Sequence, residues 1–208
     1  MILIYFAGNK GGSGKSSSSH SVAHGLAMHA INVALGSTDD RRVLDDVNRR
    51  YAIFDARTQE SLTALLDRLE AFEGVVIIDG AARRPLIDQA ISEMATMTIV
   101  PFMASEEDFA VARQDLERMP RAVGLPNNWP HNAMARQAAD RELEQMMGDL
   151  LPRMMSPQVS ISAYKTLLSE RGPAQPLNGP CKQLALRVLD RAGLSLFDLR
   201  KRQNAAAS

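Results

Sequence analysis

Apolar runs and amphipathic stretches alternate along the first 119 residues of the chain. Continuous apolar runs predict strands that are buried on both faces, at 2–7, 31–35, 74–79 and 97–102, with a shorter strand at 51–54. The intervening segments place apolar residues at helical spacing and predict helices to about residue 30 and over 59–72, 86–94 and 106–119. This alternation predicts an α/β fold: a doubly wound parallel sheet with helices on both faces.

The pattern is less regular after residue 119. Its Pro, Gly and Asn content predicts a loop over 123–132, and no strand is apparent there. Beyond it we predict a helix, a short last strand, a second helix, a loop, a terminal helix and a frayed tail, at 133–150, 153–156, 161–169, 172–180, 182–192 and 204–208.

Length and composition indicate one globular unit. With 208 residues, 45% of them hydrophobic and 23% charged, the chain can bury a core as a single domain over 1–208. No apolar run approaches the roughly 20 residues that span a bilayer, and the first residues lack the basic segment of a signal peptide. The single Cys181 excludes an internal disulfide. We therefore expect a cytoplasmic protein.

The net charge of zero hides an asymmetry. Residues 1–149 carry 15 Lys and Arg against 21 Asp and Glu, whereas residues 150–208 carry 9 against 3. A basic C-terminal region on an acidic body suggests an anionic partner, either nucleic acid or membrane. A solvated helix face with spare arginines is the alternative.

The segment from Gly8 to Ser16 fits the phosphate-loop pattern GxxxxGK[ST], and it lies between an apolar strand and a helix, as the pattern requires. Glycines allow backbone N–H groups to curl around phosphate oxygens, and the N-terminus of the next helix favours the same negative charge. Lys15 is expected to reach the β and γ phosphates, and the Ser16 hydroxyl to bind Mg²⁺.

A second lysine, Lys10, stands directly before Gly11 and Gly12. The loop thereby resembles the deviant Walker A motif of the ParA/MinD superfamily of ATPases. The resemblance implies an ATP-dependent homodimer in which Lys10 contacts the phosphates bound by the partner subunit, where a second cation would neutralise charge on the transferred phosphoryl group. It also implies a set of ATP-binding residues: Lys10, Gly11, Gly12, Ser13, Gly14, Lys15, Ser16 and Ser17.

Two acids match other motifs of this superfamily. Its second strand usually ends in Asp-x-Asp-Pro-Gln, and here the corresponding residues are Ser37-Thr38-Asp39-Asp40-Arg41. The resemblance implies that Asp39 orients the attacking water and touches the Mg²⁺ shell, so that Lys10, Lys15 and Asp39 carry catalysis, while the departures imply slow hydrolysis. Asp79 ends the most apolar strand and would hold Mg²⁺ through water, with a helix cap as the alternative.

Two further segments, 79–82 and 98–109, resemble the short ParA proteins that segregate plasmids. This resemblance implies a dimer that binds DNA without sequence preference and a ParB-like adaptor that stimulates hydrolysis. Only seven residues precede Gly8, so no operator-reading domain is expected. The basic residues expected to contact DNA are Lys182, Arg187, Arg191, Arg200, Lys201 and Arg202.

Other interpretations stay open. A MinD-type protein would bind membrane through a C-terminal amphipathic helix, and Leu194, Leu196, Phe197 and Leu199 beside basic residues fit one, although Asp198 interrupts the apolar face. A P-loop phosphotransferase would leave Lys10 unexplained. The spacing of His20 and His24 suits metal binding but also helix packing, and Trp129 could stack on a base or cover the core. The cargo is undetermined.

Overall fold

The fold is built on one six-stranded sheet. The computed structural model describes residues 1–39, 45–69 and 71–206. In the order β3-β2-β4-β1-β5-β6, every neighbouring pair is parallel, which confirms the predicted α/β class. The strands are β1 Ile2–Phe6, β2 Val33–Ser37, β3 Ala52–Asp55, β4 Val75–Asp79, β5 Met97–Phe102 and β6 Val123–Pro126.

Helices connect the strands and form the C-terminal region. The α-helices are α1 Lys15–Met28, α2 Gln59–Arg68, α3 Pro85–Met94, α4 Glu106–Arg118, α5 Ala133–Met147, α6 Asn178–Arg191 and α7 Leu196–Ala206. Short 3-10 helices occur at Gly148–Arg153, Ser162–Leu168 and Gln175–Leu177.

The prediction of a loop from residue 123 was wrong for its first four residues. They form β6, which pairs with β5 from Val123 opposite Ile99 to Pro126 opposite Phe102. Glycine and proline weaken the local strand signal, but β6 lies at the edge of the sheet, where a proline is tolerated. Residues that are distant in the sequence bury this strand. The Met154 sulfur packs so closely on Gly124 that a Cβ there would lie only 2.4 Å from it.

Several C-terminal boundaries also differ from the predictions. The expected strand at 153–156 is reduced to an isolated bridge between Gly124 and Met154, and the expected helix at 161–169 is a 3-10 helix. The expected loop at 172–180 already contains the start of α6. The terminal helix is two helices, because Gly193, with a φ of +68°, follows the end of α6. The tail predicted to fray is helical to 206, and 207–208 lie outside the described residues.

Each face of the sheet has its own apolar core. On one face, Ile4 and Phe6 of β1 pack with Leu26 of α1 and with Leu184 and Val188 of α6. On the other face, Leu3 and Tyr5 pack with residues of α2 to α5 such as Leu65, Ile91, Phe109 and Leu143. Trp129 is fully buried in this second core and donates from Nε1 to Asp140 at 2.8 Å, so it covers the core and does not offer a stacking surface.

Helices α1 and α6 approach each other closely. A Cβ on Gly25 of α1 would lie 2.1 Å from the carbonyl oxygen of Cys181, so only glycine fits at this contact. His24 on the same helix bonds from Nε2 to the side-chain oxygen of Asn178, at 2.9 Å. The helix that begins inside the phosphate loop is therefore positioned by a helix from the far end of the chain.

Candidate functional site

The phosphate loop follows β1 at the carboxyl edge of the sheet. Strands β4 and β5 flank β1, so the chain leaves β1 at the point where the strand order diverges, which is where α/β sheets bind ligands. Gly12 and Gly14 have φ angles of +80° and +97°, which favour glycine. A Cβ on Gly14 would also lie 1.8 Å from Nδ2 of Asn127, so the loop cannot take this shape with a larger residue there.

The loop borders a cavity of about 510 Å³. Seven of the predicted site residues line it: Gly11, Gly12, Gly14, Lys15, Ser16, Ser17 and Asp39. The segment after β4, from Ala81 to Arg84, also lines the cavity, together with Met103 and Leu168. Ser13 is buried, and its carbonyl oxygen accepts from Nδ2 of Asn127 at 3.3 Å. The volume is in the range of small-molecule sites.

Lys15 occupies the base of this cavity. It is 7% exposed, and its Nζ donates to the carbonyl oxygen of Lys10 at 2.8 Å. Burial lowers the pKa of Lys15, whereas the charges of Asp79 and Asp88 act in the opposite direction. Its ammonium group is therefore held inside the loop, where a phosphate oxygen could replace the carbonyl as acceptor.

Asp79 lies at the end of β4 and is almost completely buried. Its Oδ1 has no hydrogen-bond partner in the described structure, and burial raises its pKa to about 6, against the opposing effects of a hydrogen bond with Ser16 and the charge of Lys15. A cavity of about 120 Å³ beside it is lined by Ser16, Ser37 and Asp39, among others. An unpartnered carboxylate oxygen among hydroxyl and carboxylate oxygens suits a hydrated Mg²⁺ ion.

The described residues contain no group of three or more His, Cys, Asp or Glu side chains that could hold a metal ion. A cation at this site would therefore depend on the Ser16 hydroxyl, water and phosphate oxygens, as Mg²⁺ with nucleotide does. His20 and His24 do not act together, because His20 bonds Tyr51 at 2.8 Å whereas His24 bonds Asn178. The packing interpretation of the two histidines is therefore favoured.

Lys10 points away from the cavity toward α4. Its Nζ lies 2.9 Å from Oε2 of Glu107 and 3.2 Å from Oδ2 of Asp108. The hydrogen bond with Glu107 raises the pKa of Lys10 against a smaller effect of desolvation. Asn9, the preceding residue, is bound to Asp115 on the same helix. Helix α4 thus holds the first part of the loop.

A threonine that the sequence did not single out joins two walls of the site. Thr38 is buried; its hydroxyl donates to the carbonyl oxygen of Asp79 at 2.9 Å and accepts from the N–H of Ala81 at 2.7 Å. The end of β2, which leads to Asp39, is thereby fixed to the segment after β4. Asp40 and Arg41, part of the motif discussed above, lie outside the described residues.

Two other buried acids bind β1 and the start of the loop. Asp88 of α3 is 1% exposed and accepts from the Tyr5 hydroxyl, and burial raises the pKa of both groups. Asp115 of α4 is equally buried beneath Asn9. Sequence reasoning missed both, and also Thr38 and Asn127, because each joins segments that are distant in the chain.

Comparison with known proteins identifies the architecture. No protein-family model matches the chain, and no curated protein sequence is similar enough to match. Among solved structures, an ATP complex of McdA from Cyanothece superposes with a TM-score of 0.68 at 14% identity, covering 94% of this chain and 97% of that chain. MinD from Aquifex aeolicus gives 0.67 at 14% identity, covering 91% and 97%. The ParA protein of pNOB8 bound to nonspecific DNA gives 0.63 at 12% identity, covering 92% and 98%. The fold is that of the ParA/MinD ATPases.

Within this ParA/MinD fold, all six predicted DNA-contacting residues lie on α6 and α7. Three of them also bind backbone carbonyls: Arg187 donates to Ser156 at 2.7 Å, Arg191 to Pro152 at 2.7 Å and Arg200 to His29 at 2.8 Å. Arg187 is half-buried, and burial lowers its pKa. Lys182 is also half-buried, whereas Lys201 and Arg202 are exposed. Arg187 therefore has a packing role that the sequence did not reveal.

Helix α7 does not present the apolar face that a MinD-type membrane anchor would need. Leu199 is 3% exposed, and Leu194 and Leu196 pack partly buried against the core beside β1. Of the four apolar residues considered, only Phe197 is strongly exposed. In addition, none of the helices described combines the length and the apolar character required to cross a membrane.

Proposed function

We propose that this chain is a positioning ATPase of the ParA type: it binds Mg²⁺-ATP, forms a homodimer in that state and binds DNA without sequence preference. The observation that carries the proposal is the loop itself, which sets two lysines at the carboxyl edge of a ParA/MinD fold, Lys15 inside a cavity of about 510 Å³ and Lys10 outside it. A P-loop phosphotransferase would need no cation at position 10.

Nucleotide binding follows from the residues around the cavity. Backbone N–H groups of Gly12 to Lys15 and the N-terminus of α1 would receive the phosphates, and Lys15 would exchange its bond to the Lys10 carbonyl for phosphate oxygens. Ser16 and Asp79 would hold Mg²⁺, which when bound neutralises phosphate charge. The similar solved structures support this choice of ligand, because they include McdA with ATP and MinD with Mg-ADP.

Dimer formation would use Lys10. In the single chain its ammonium group is held by Glu107 and Asp108, so contact with the nucleotide of a second subunit requires that these ion pairs open. Glu107 is largely exposed, and surface ion pairs of this kind contribute little to stability. A triphosphate carries more negative charge than these side chains and attracts the ammonium group more strongly. Nucleotide bound to the partner would therefore favour release of Lys10 from Glu107 and Asp108.

Hydrolysis would depend on Asp39, which lines both the large cavity and the small one beside Asp79. From there its carboxylate can orient a water molecule toward the terminal phosphate. Ser37, where the superfamily usually has an acid, leaves this region with one negative charge fewer. We therefore propose slow turnover until a ParB-like adaptor stimulates it.

DNA is the proposed surface on which the dimer moves its cargo. Support comes from the basic residues of α6 and α7 and from the similarity to a ParA structure bound to nonspecific DNA. A dimer presents two copies of these helices, so DNA affinity would depend on ATP. In the part of the chain that the structure describes, α7 has no free apolar face, and this argues against a membrane as the surface to which the dimer binds.

The decisive experiment measures ATP binding and its consequence together. Lys15→Ala should remove ATP binding in calorimetry, ATP-dependent dimerisation in sedimentation, and ATP-dependent DNA binding. Arg141→Ala, which alters an exposed cation on α5, none of whose residues lines the cavity, is the matched control and should behave as wild type. Unchanged ATP affinity in Lys15→Ala would refute the nucleotide site, and normal ATP binding without any dimer would refute the ParA-type switch.

A further inference from the structure

Arg83 is a cation of the large cavity that has no bonding partner among the described residues. The cavity lining contains three cations, Lys15, Arg83 and Arg84. Lys15 donates to the carbonyl oxygen of Lys10, and Arg84 donates to the carbonyl oxygen of Arg57 at 3.3 Å. Arg83, by contrast, is exposed and forms no hydrogen bond or ion pair in the part of the chain that the structure describes. Its guanidinium is therefore available to an anionic ligand.

The backbone of Arg83 has a φ of +65°, in the left-handed region. Glycine adopts this region readily, whereas a residue with a Cβ does so at a cost in free energy. The other described non-glycine residues with positive φ are Asn48 and Asn128, which tolerate the region, and Ala30, which follows the end of α1. Arg83 is thus the one long side chain in this conformation among the described residues. Strained positions of this kind are concentrated at ligand sites.

Neighbouring residues hold the turn at Arg83 in place. On one side, the N–H of Ala81 donates to the Thr38 hydroxyl at 2.7 Å. On the other side, the carbonyl oxygen of Arg84 accepts from the N–H of Asp88, in the first turn of α3, at 2.8 Å. Because both flanks are fixed and the Arg83 side chain has no bond of its own to the described residues, the fold does not depend on this side chain.

The position of Arg83 in the cavity indicates which part of a nucleotide it can reach. It follows Asp79, the proposed Mg²⁺ residue, by four positions, and it shares the cavity lining with Asp39, the proposed water-orienting residue. Mg²⁺ bound with nucleotide bridges the β and γ phosphates, so this segment borders the terminal phosphate. Three cations and one carboxylate line the described cavity, which suits a ligand with several negative charges.

We propose that Arg83 contacts the terminal phosphate of ATP bound by its own chain and thereby distinguishes ATP from ADP. The inference rests on the proposed function, because it requires nucleotide in the cavity, and it adds a residue that is not among those implied by the resemblance. A guanidinium can form two parallel hydrogen bonds with phosphate oxygens. ADP lacks the terminal phosphate, so this contact contributes to the affinity for ATP alone. Arg83 acts within one chain, whereas Lys10 acts across the dimer.

The test combines nucleotide calorimetry with urea unfolding of three variants. Arg83→Gly should reduce ATP affinity about tenfold and change ADP affinity less than about twofold. Without nucleotide, its unfolding midpoint should rise, because glycine adopts the same φ without strain. Arg83→Gln, which keeps the backbone cost, should lose ATP affinity to the same extent without the gain in stability. Arg83→Lys keeps the charge and should bind ATP within about threefold of wild type.

Two variants are matched controls. Ala30→Gly makes the same kind of backbone change at an exposed residue with a φ of +59° that does not line the cavity. It should raise the unfolding midpoint and leave ATP affinity unchanged. Arg141→Gln removes an exposed cation of α5 and should change neither. To separate the two subunits, Arg83→Gly is combined with Lys10→Ala, which is expected to prevent the ATP dimer, and the tenfold loss of ATP affinity should persist.

Five outcomes would overturn the inference. Three concern affinity: unchanged ATP affinity in Arg83→Gln, an equal loss of ATP and ADP affinity in that variant, or an equal loss of ATP affinity in Arg141→Gln. A loss that disappears in the Lys10→Ala background would assign the contact to the partner's nucleotide. A lower unfolding midpoint in Arg83→Gly would show that the side chain supports the fold.

The same measurements separate this inference from the proposed function. If wild-type protein does not bind ATP, the proposed function is refuted, and the role of Arg83 with it. If wild-type protein binds ATP and Arg83→Gln binds it equally well, the role of Arg83 alone is refuted.

Discussion

Asn9 donates two hydrogen bonds to the single carboxylate of Asp115. Its backbone N–H lies 2.8 Å from Oδ2, and its side-chain Nδ2 lies 2.7 Å from Oδ1. Asp115 is 1% exposed, and Arg118 also binds it. Since Asn9 directly precedes Lys10, this pair fixes the position of the backbone from which the Lys10 side chain extends.

The first prediction concerns this pair. Asn9→Ala and Asp115→Ala should each destabilise the fold, and the double variant should lose less than the sum of the two, with a coupling free energy of about 1–2 kcal/mol. Urea unfolding of all four proteins measures it, and Asp190→Ala, at an exposed acid of α6, is the control. Strictly additive losses would show that the pair does not act as a unit.

The second prediction concerns the ion pairs of Lys10. Lys10→Ala should keep ADP affinity nearly intact but lose the ATP-dependent dimer, because the cation for the partner's phosphates is gone. Glu107→Gln should leave Lys10 held only by Asp108, so that it is released more easily, and should strengthen the dimer about twofold to fivefold, in line with a surface ion pair. Light scattering with ATP would measure both effects.

Glu106→Gln, one residue earlier in the first turn of α4, is the matched control for Glu107→Gln and should leave the dimer unchanged. A normal ATP dimer in Lys10→Ala would contradict the role across the interface. An equal response of the two glutamine variants would mean that general charge reduction, and not release of Lys10, strengthens association.

The third prediction is a pH dependence that arises from Asp79. Its pKa in the fold is about 6, above the ordinary value of 3.8. Between pH 3.8 and about pH 6, the folded chain therefore binds a proton at this group more readily than the unfolded chain does. Because of this group, the free energy of unfolding of the ligand-free protein should rise by up to about 3 kcal/mol as pH falls from about 7 to 4. Asp79→Asn should be more stable than wild type at pH 7, and the difference should shrink by pH 4.

Denaturant unfolding at pH 7 and pH 4.5 would check this dependence, with Asp190→Asn as an exposed control. The same carboxylate must be ionised to hold Mg²⁺, so Mg²⁺-ATP affinity should weaken below pH 6 in the wild type. A constant stability difference between wild type and Asp79→Asn across this range would contradict the raised pKa of the buried Asp79 carboxyl.

The fourth prediction separates DNA contact from packing on α6 and α7. Lys201→Glu with Arg202→Glu, at exposed positions, should weaken binding to all DNA sequences alike and reduce the salt slope by about 0.9 per lost contact. Arg187→Glu should instead lower the free energy of unfolding, because its guanidinium bonds the carbonyl of Ser156. DNA titrations at several salt concentrations and urea unfolding distinguish the two.

Lys165→Glu, with the same change of charge at an exposed site outside α6 and α7, should retain most DNA affinity. If the Lys201 and Arg202 substitutions leave DNA affinity unchanged, the contact surface lies elsewhere. Wild-type protein that ignores DNA and pellets with anionic vesicles in ATP would favour membrane as the partner.

The phosphate loop and the central strands could be predicted because their signals are local. Glycine spacing sets the backbone of the loop, and an apolar run such as Val75 to Ile78 has to be buried wherever it lies. Strand β6 was missed because it is only four residues long and contains Gly and Pro. In addition, its burial depends on Met154 and Met155, which are distant in the sequence. Asp115 and Asp88 carry no local signal, since their bonds to the loop and to Tyr5 join residues that are 106 and 83 positions apart in the sequence.

The close contact between Gly25 on α1 and Cys181 on α6 has a consequence for synthesis on the ribosome. The helix that begins in the phosphate loop is translated early, but the surface it packs on is translated much later, roughly ten seconds later or more at about 5–20 residues per second. In a nascent chain the packing of α1 is thus completed only after α6 has emerged. Chains that end before α6 should therefore leave α1 incompletely packed and, under the proposed function, should neither retain nucleotide nor form dimers with full-length chains.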